Sequence, residues 1–257
     1  MLKYYEKLLK MGCFTWSELC DVVGNANAAD TLARNYIKKG FLQSVRRGLF
    51  VALDLATNDA AVSKFHIAGK ITPTSYVSHH SAFEYYGCAN QVSYQMQVSS
   101  ETAFSPFEYA GINYKYFGSR IDKGITTRPD GIRVTEVERT ILDGINDFEK
   151  VMGLEELIRC LELIPSAKED KLLSYLAAYD KQVLYQKVGF ILWHFRDMMN
   201  LSNKFFKDCE SHIGKSKRYL YKTAVRDELE YNSRWRLIVP SDLMKITSKG
   251  VDFNADI

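Results

Sequence analysis

The sequence predicts an α+β protein: a small N-terminal module of helices and one hairpin, then a larger mixed, mainly helical domain. Three observations predict it. Helical apolar spacing with capping signals divides the first 40 residues into three short helices. Two β-like runs around an Arg-Arg-Gly turn follow at 41–53. Past residue 60, strand-like segments rich in Tyr and β-branched residues extend to about 134, and helical periodicity dominates afterwards.

The first helix, 2–11, carries Leu2, Tyr5, Leu8 and Leu9 at helical spacing and stops at Gly12. Thr15 and Glu18 make a T-x-x-E capping box for a second helix, with Phe14 placed as its hydrophobic staple. That helix ends near Val23-Gly24. Asn27 reads as the N-cap of a third helix, 28–39, stopped by Gly40. Its buried stripe is expected at Ala29, Leu32, Ala33, Tyr36 and Ile37. The opposite face then carries Asp30, Thr31, Arg34, Asn35 and Lys38. Residues 41–45 and 49–53 flank Arg46-Arg47-Gly48, where Gly48 can take positive φ.

This order of helix, helix, turn, helix and hairpin is that of a winged helix-turn-helix, expected over 1–55. In that geometry the third helix enters the major groove and the hairpin tip meets the backbone or minor groove. Thr31, Arg34 and Asn35 are the expected base-edge contacts, with Asn27 at the start of the same helix. Lys38, Lys39, Arg46 and Arg47 are expected on phosphates. The net charge of +3 for 257 residues announces no nucleic-acid binder by itself. Position carries the argument: five of the eight basic residues before residue 60 lie between Arg34 and Arg47.

Residues 54–59 read as a polar hinge, and 60–257 as the second domain. A helix is expected at 60–70, broken by Pro73, then a short strand at Tyr76-Val77. Ser78 caps a helix over 79–86, on which the adjacent His79 and His80 diverge. Strands are expected at 92–98 and at 107–117, the latter kinked at Gly111. Thr135/Glu138 and Ser166/Glu169 read as further capping boxes. Helices are expected over 154–163, 168–179, 182–199 and from Ser202 to 212, then strand pieces at 218–222 and 235–239. Lys215, Lys217, Arg218, Lys222, Arg226, Arg234 and Arg236 interleave with Tyr219, Tyr221, Tyr231 and Trp235. They make a candidate secondary basic surface.

Composition excludes whole classes. Gly and Pro, 15 and 5, are too few for a collagen-like or low-complexity chain, and 46% apolar residues supply a sizeable core. The start, with Lys3, Glu6, Lys7 and Lys10, leads into no unbroken apolar stretch, so no secretory signal is read there. The most apolar run, 189–195, falls far short of a bilayer span. A cytoplasmic chain with no membrane partner is expected. Cys13, Cys20, Cys88, Cys160 and Cys209 are scattered and read as reduced thiols. With the five histidines they form no zinc-like spacing. Neither a metal nor a cofactor is expected.

No catalytic constellation emerges. Gly118-Ser119 and Asp130 resemble the start of a nucleotidyl-transfer motif, but Ile132 stands where the partner carboxylate is needed. Pro129-Asp130 with Glu136 resembles a metal-dependent nuclease, but Glu138 stands where lysine is needed. No G-x-S-x-G or phosphate-cradling Gly-rich loop occurs. The expectation is a protein that is not an enzyme.

The layout resembles the AbiEi family, antitoxins of type IV toxin–antitoxin (abortive infection) systems. GFLQSVRRGLFVAL at 40–53, YVSHHSAFEYYG at 76–87 and VTEVERTILDGI at 134–145 carry the resemblance, over roughly the first 145 residues. The resemblance implies a winged helix that binds inverted repeats in its own promoter and represses its operon. It also implies a C-terminal domain that opposes a nucleotidyltransferase-like toxin without a stable complex. It brings no catalytic residues. As DNA contacts it implies only positions of the third helix and wing: Arg34, Asn35, Lys38, Arg46 and Arg47. The alternative is a winged-helix protein-docking adaptor, or a transcriptional regulator without antitoxin activity.

Overall fold

The structure, a computed structural model, describes residues 3–150, 152–221, 229–241 and 243–244. Among them, ten α-helices and three sheets make a mixed α/β fold, and no helix is long and apolar enough to cross a membrane. The chain divides into two compact units that interleave in sequence. The first runs to Val77 and takes up Tyr94–Ser119 and Thr127–Val134. The second holds Ser78–Ser93, Arg120–Thr126 and the described residues from Thr135 on. The division does not fall at the expected hinge near 54–59. Leu53 bridges to Ala60, and the Ala61 N–H donates to the Ala52 carbonyl at 3.0 Å, so that stretch is laced into the first unit.

The first unit opens with α1 (Tyr5–Met11), β1 (Cys13–Thr15), α2 (Trp16–Val23), α3 (Ala26–Lys38), β2 (Leu42–Arg46) and β3 (Leu49–Ala52). The strands form an antiparallel sheet in the order β1-β3-β2, with Phe14 and Ser44 both facing Phe50 in register. The capping box of α2 is present: Glu18 N donates to Thr15 Oγ1 at 3.3 Å, and Thr15 N to Glu18 Oε2 at 2.8 Å. The third helix starts earlier than expected, because Asn25 rather than Asn27 caps it, accepting from Ala28 N at 3.1 Å. Ala29 and Ala33 are small enough to bring α3 close to Leu8, Phe14 and Leu19 in one core. The buried stripe is narrower than expected, since Ile37 is 40% exposed.

The segment expected as a helix over 60–70 is helical only in α4 (Lys64–Lys70), the preceding residues being held by the β3 extension. Next come β4 (Tyr76–Val77) and, in the second unit, α5 (His79–Tyr85). β5 (Gln95–Ser100), β6 (Phe107–Tyr109), β7 (Ile112–Gly118), β8 (Ile125–Thr127) and β9 (Arg133–Thr135) complete a six-stranded mixed sheet in the order β6-β7-β5-β4-β9-β8. The expected strand at 92–98 is shifted: Val92 is exposed and pairing starts at Gln95. The expected kink at Gly111 is a full reversal. Ala110 and Gly111 take φ of 50° and 75°, which folds β6 back on β7 as a hairpin.

The second unit continues with α6 (Val137–Asp147), a 3₁₀ turn (Phe148–Lys150), α7 (Gly153–Glu162), α8 (Glu169–Tyr179), α9 (Gln182–Trp193) and α10 (Asn203–Ser211). β10 (Arg218–Tyr219), β11 (Leu229–Asn232) and β12 (Leu237–Pro240) follow as a sheet in the order β10-β12-β11. Two of the expected capping boxes do not form. Glu136 takes the N-cap of α6, while Glu138 Oε1 accepts from Lys168 N at 3.0 Å. Lys168 takes the N-cap of α8, and Glu169 accepts from Ser202 at the start of α10 instead. Both carboxylates satisfy a more distant N–H or O–H donor. Ser202 caps α10 as expected, accepting from Phe205 N at 3.2 Å. The expected 182–199 helix ends at Trp193 in a series of turns, leaving Met198 39% exposed.

Leu142, Ile158, Leu176, Val188, Ile191 and Phe206 lie in one buried core of this unit. Gly189 faces Trp235 there, and a Cβ added to it would fall 2.0 Å from Trp235 Cζ3. Gly189→Ala should therefore destabilise the unit by about 1–3 kcal/mol through overpacking, measured by urea denaturation. A gain in stability, as expected for Gly→Ala in an open helix position, would contradict that packing.

Asp147, at the end of α6, is buried beside His79 and accepts from Lys150 Nζ at 2.9 Å and Asn146 Nδ2 at 2.7 Å. Burial pushes its carboxyl upward, but the imidazole of His79 beside it and hydrogen bonds from Lys150 and Asn146 outweigh this and hold it well below the ordinary carboxylate range. The stabilisation is thus complete above the unfolded carboxylate value of about 3.9 and is lost as pH falls through the lower folded value. Asp147→Asn should flatten the acid limb of a stability-versus-pH curve below about pH 4. An unchanged acid limb would assign the acid sensitivity elsewhere.

Candidate nucleic-acid interface

Two faces of α3 have different tasks. Ala29, Ala33 and Tyr36 are buried against the first unit's core. Asn27, Thr31, Arg34, Asn35 and Lys38 are exposed, at spacings of four, three, one and three residues, which place them along one side of the helix. Lys39, the C-cap, is exposed as well. The structure therefore brings six of the eight expected DNA-facing residues together on one helix. Two are engaged locally. Thr31 Oγ1 donates to the Asn27 carbonyl at 3.0 Å, and Arg34 pairs with Asp30 one turn back. The latter is an exposed pair, with side chains 78% and 45% accessible, and such pairs are worth about 0.3–0.5 kcal/mol. A phosphate or a guanine edge can displace Asp30 at little cost.

The hairpin β2–β3 divides its two arginines. Arg47 is exposed in the turn, followed by Gly48 at φ 79°. Arg46 is not available in the same way. Its guanidinium lies 5.0 Å from the Phe107 ring and 5.8 Å from that of Phe104, and its Nη1 is buried without a hydrogen-bond partner. Tyr109, on the same strand as Phe107, donates to Gln43 Oε1 on β2 at 2.7 Å. β6 and the segment before it thus cover one side of the hairpin within the first unit, and Arg46 is a packing residue there. The aromatic partners that fix it, Phe104 and Phe107, carry no local signal near the hairpin.

The first unit also contains a cleft of about 520 Å³ lined by Glu18, His66, Lys70, Thr72 and Arg133 among others. Its cations are engaged: Lys70 pairs with Glu18, and Arg133 donates to the Pro73 carbonyl at 3.1 Å. Burial raises the Glu18 carboxyl, but the pairing to Lys70 and the Thr15 hydrogen bonds outweigh it and leave the group below its ordinary value.

The secondary basic surface is uneven. Lys215, Lys217 and Arg218 are exposed, with the Lys217 ammonium 4.7 Å from the Tyr231 ring. Arg234 lies 3.9 Å from the Trp193 ring and 5.0 Å from that of Trp235, and pairs with Glu210. Arg236 is half-buried and donates to the Gly214 carbonyl at 3.2 Å. The last two hold the unit together. Lys222 and Arg226 lie outside the described residues.

No protein-family model and no curated protein matches the sequence. Among solved structures, the chain is similar to the crystal structure of the RV2827C protein from Mycobacterium tuberculosis. The TM-score is 0.66 at 12% identity, covering 96% of this chain and 93% of that one. At that identity the likeness defines a shared mixed α/β fold.

Proposed function

We propose that this chain is a DNA-binding antitoxin of a type IV toxin–antitoxin system, with residues 1–55 acting as a winged helix-turn-helix that represses its own operon. The observation that carries the reading is the exposed ridge Asn27, Thr31, Arg34, Asn35, Lys38 on α3, beside a hairpin whose turn presents Arg47. A helix of 13 residues with that ridge fits a major groove, and its donors suit base edges near its start and phosphates near its end. The antitoxin role rests on the resemblance carried by 40–53, 76–87 and 134–145. The cognate toxin would be nucleotidyltransferase-like and need form no stable complex with it.

Fluorescence anisotropy with the duplex upstream of its own gene tests the DNA reading. Tight binding there, weaker binding to random duplex and a steep decline with salt are expected. A chain that ignores random duplex even at low salt and also ignores its upstream DNA is a docking adaptor, and the proposal fails. Co-expression with a nucleotidyltransferase-like protein, if one is encoded beside this gene, tests the antitoxin half separately: growth should be restored by the full chain, and the absence of such a neighbour or of rescue overturns that half.

A further inference from the structure

Two adjacent histidines open α5, and each meets a buried carboxylate of the second unit. His79 holds φ 53°, with Nε2 3.6 Å from Asp147 Oδ2. His80 Nε2 lies 2.9 Å from Glu156 Oε1. That same oxygen accepts the N–H groups of Asn90 and Gln91, each at 3.0 Å, and Cys160 Sγ lies 3.5 Å from it. One oxygen of Glu156 therefore takes four neighbours. The other, Oε2, is buried without a partner, as is Nδ1 of His80, with the two residues only 1% and 4% exposed. A small cavity beside them, with room for about one water, is lined by His80, Glu156, Cys160, Phe83, Phe148 and Met152.

We propose that His80, Glu156 and Cys160 bind one zinc-class divalent cation, with a water in the adjoining cavity as fourth ligand. The imidazole nitrogen, one carboxylate oxygen and the thiol sulfur all lie within 4.8 Å of one another. Tetrahedral zinc, with bonds of about 2.0–2.3 Å, holds such atoms roughly 3.3–3.8 Å apart, so a small closure brings all three into range. The mixture of nitrogen, sulfur and oxygen suits zinc and excludes the all-oxygen preference of magnesium and calcium. Glu156 and Cys160 sit one turn apart on α7, and the loop N–H groups of Asn90 and Gln91 orient the carboxylate from behind. A simple hydrogen-bonded cluster leaves Glu156 Oε2 desolvated and unmatched, whereas a cation supplies what it lacks. Binding displaces the thiol proton of Cys160 to solvent, with no change of oxidation state. The site is independent of the DNA-binding reading.

Full-length protein, stripped with chelator and titrated with cobalt(II) chloride, is the test. One equivalent should produce a near-ultraviolet thiolate-to-cobalt charge-transfer band that zinc chloride abolishes. Zinc at a hundredfold excess over its Kd should raise Tm by about 5 °C or more. The band should vanish in Cys160→Ser and persist in Cys20→Ser and Cys88→Ser. Glu156→Gln, which keeps the shape and the loop hydrogen bonds, should weaken zinc binding at least about tenfold. Absence of the band in the wild-type chain overturns the proposal even if Cys160→Ser fails to fold. So does a band that survives Cys160→Ser.

Discussion

Arg139→Met should lower the stability of the second unit by about 3–5 kcal/mol, the cost of stripping one partner from a buried ion pair. Arg139 and Asp143 are each 1% exposed and meet at 2.8 Å, one turn apart on α6. The guanidinium also donates to the carbonyls of Ile121 and Lys123 at 3.1 and 2.6 Å, tying the 120–126 segment to the helix. Tyr179 donates to the same Asp143 oxygen, and burial, with the Asp143 charge, pushes its phenol far up. Methionine fills the volume but leaves a buried carboxylate without its cation and removes the guanidinium's bonds to the two carbonyls. For a chain of this size the destabilisation corresponds to a Tm drop of roughly 6–20 °C, followed by circular dichroism. Adding Asp143→Asn should recover part of it, since the unpaired charge is then gone. If the double variant is no more stable than the single one, the drop comes from packing and the two carbonyls rather than from the charge.

The second large effect follows from the proposed DNA reading, and it separates the two hairpin arginines. Lys38→Ala, Lys39→Ala and Arg47→Ala together should flatten the salt dependence of binding by about 0.9 for each phosphate no longer neutralised, or about 2.7 for three. The weakening should be uniform across sequences, because phosphates carry no base identity. Asn35→Ala should instead cost about 1–3 kcal/mol of discrimination, a factor of roughly 5 to 150 between the operator and a mismatched site. Arg46→Ala should leave the salt slope unchanged while lowering thermal stability, because its guanidinium rests over Phe107 and Phe104. A salt slope that falls with Arg46→Ala and holds with Arg47→Ala would invert this assignment.

What the sequence revealed was local. The Thr15–Glu18 box, the Gly48 turn and the Ser202 cap each depend on residues within three positions of one another, and each is present. So is the polar ridge of α3, because helical periodicity alone separates Arg34 and Lys38 from Ala33 and Tyr36. Failures arose where a distant group competes. Glu138 sits three residues after Thr135 as a box requires, yet the backbone of Lys168, 30 residues on, takes its carboxylate. Arg46 looks solvated until Phe104 and Phe107 are folded over it. His80 and Glu156 stand 76 positions apart, so no ligand spacing could signal their meeting.

The interleaving of the two units has a consequence for synthesis and for proteases. The chain passes from one unit to the other five times, at 77/78, 93/94, 119/120, 126/127 and 134/135. A nascent polypeptide cannot finish the first unit until Val134 has left the ribosome, by which time pieces of the second are already exposed and waiting for their C-terminal partners. The aromatic cover of Arg46 arrives only with residues 104–107, so an early-terminated product carries α3 and the hairpin with one flank bare. In the mature chain, no single nick releases either unit as one continuous fragment, so a protease cannot trim the protein down to α3 and the hairpin packed as they are in the whole chain.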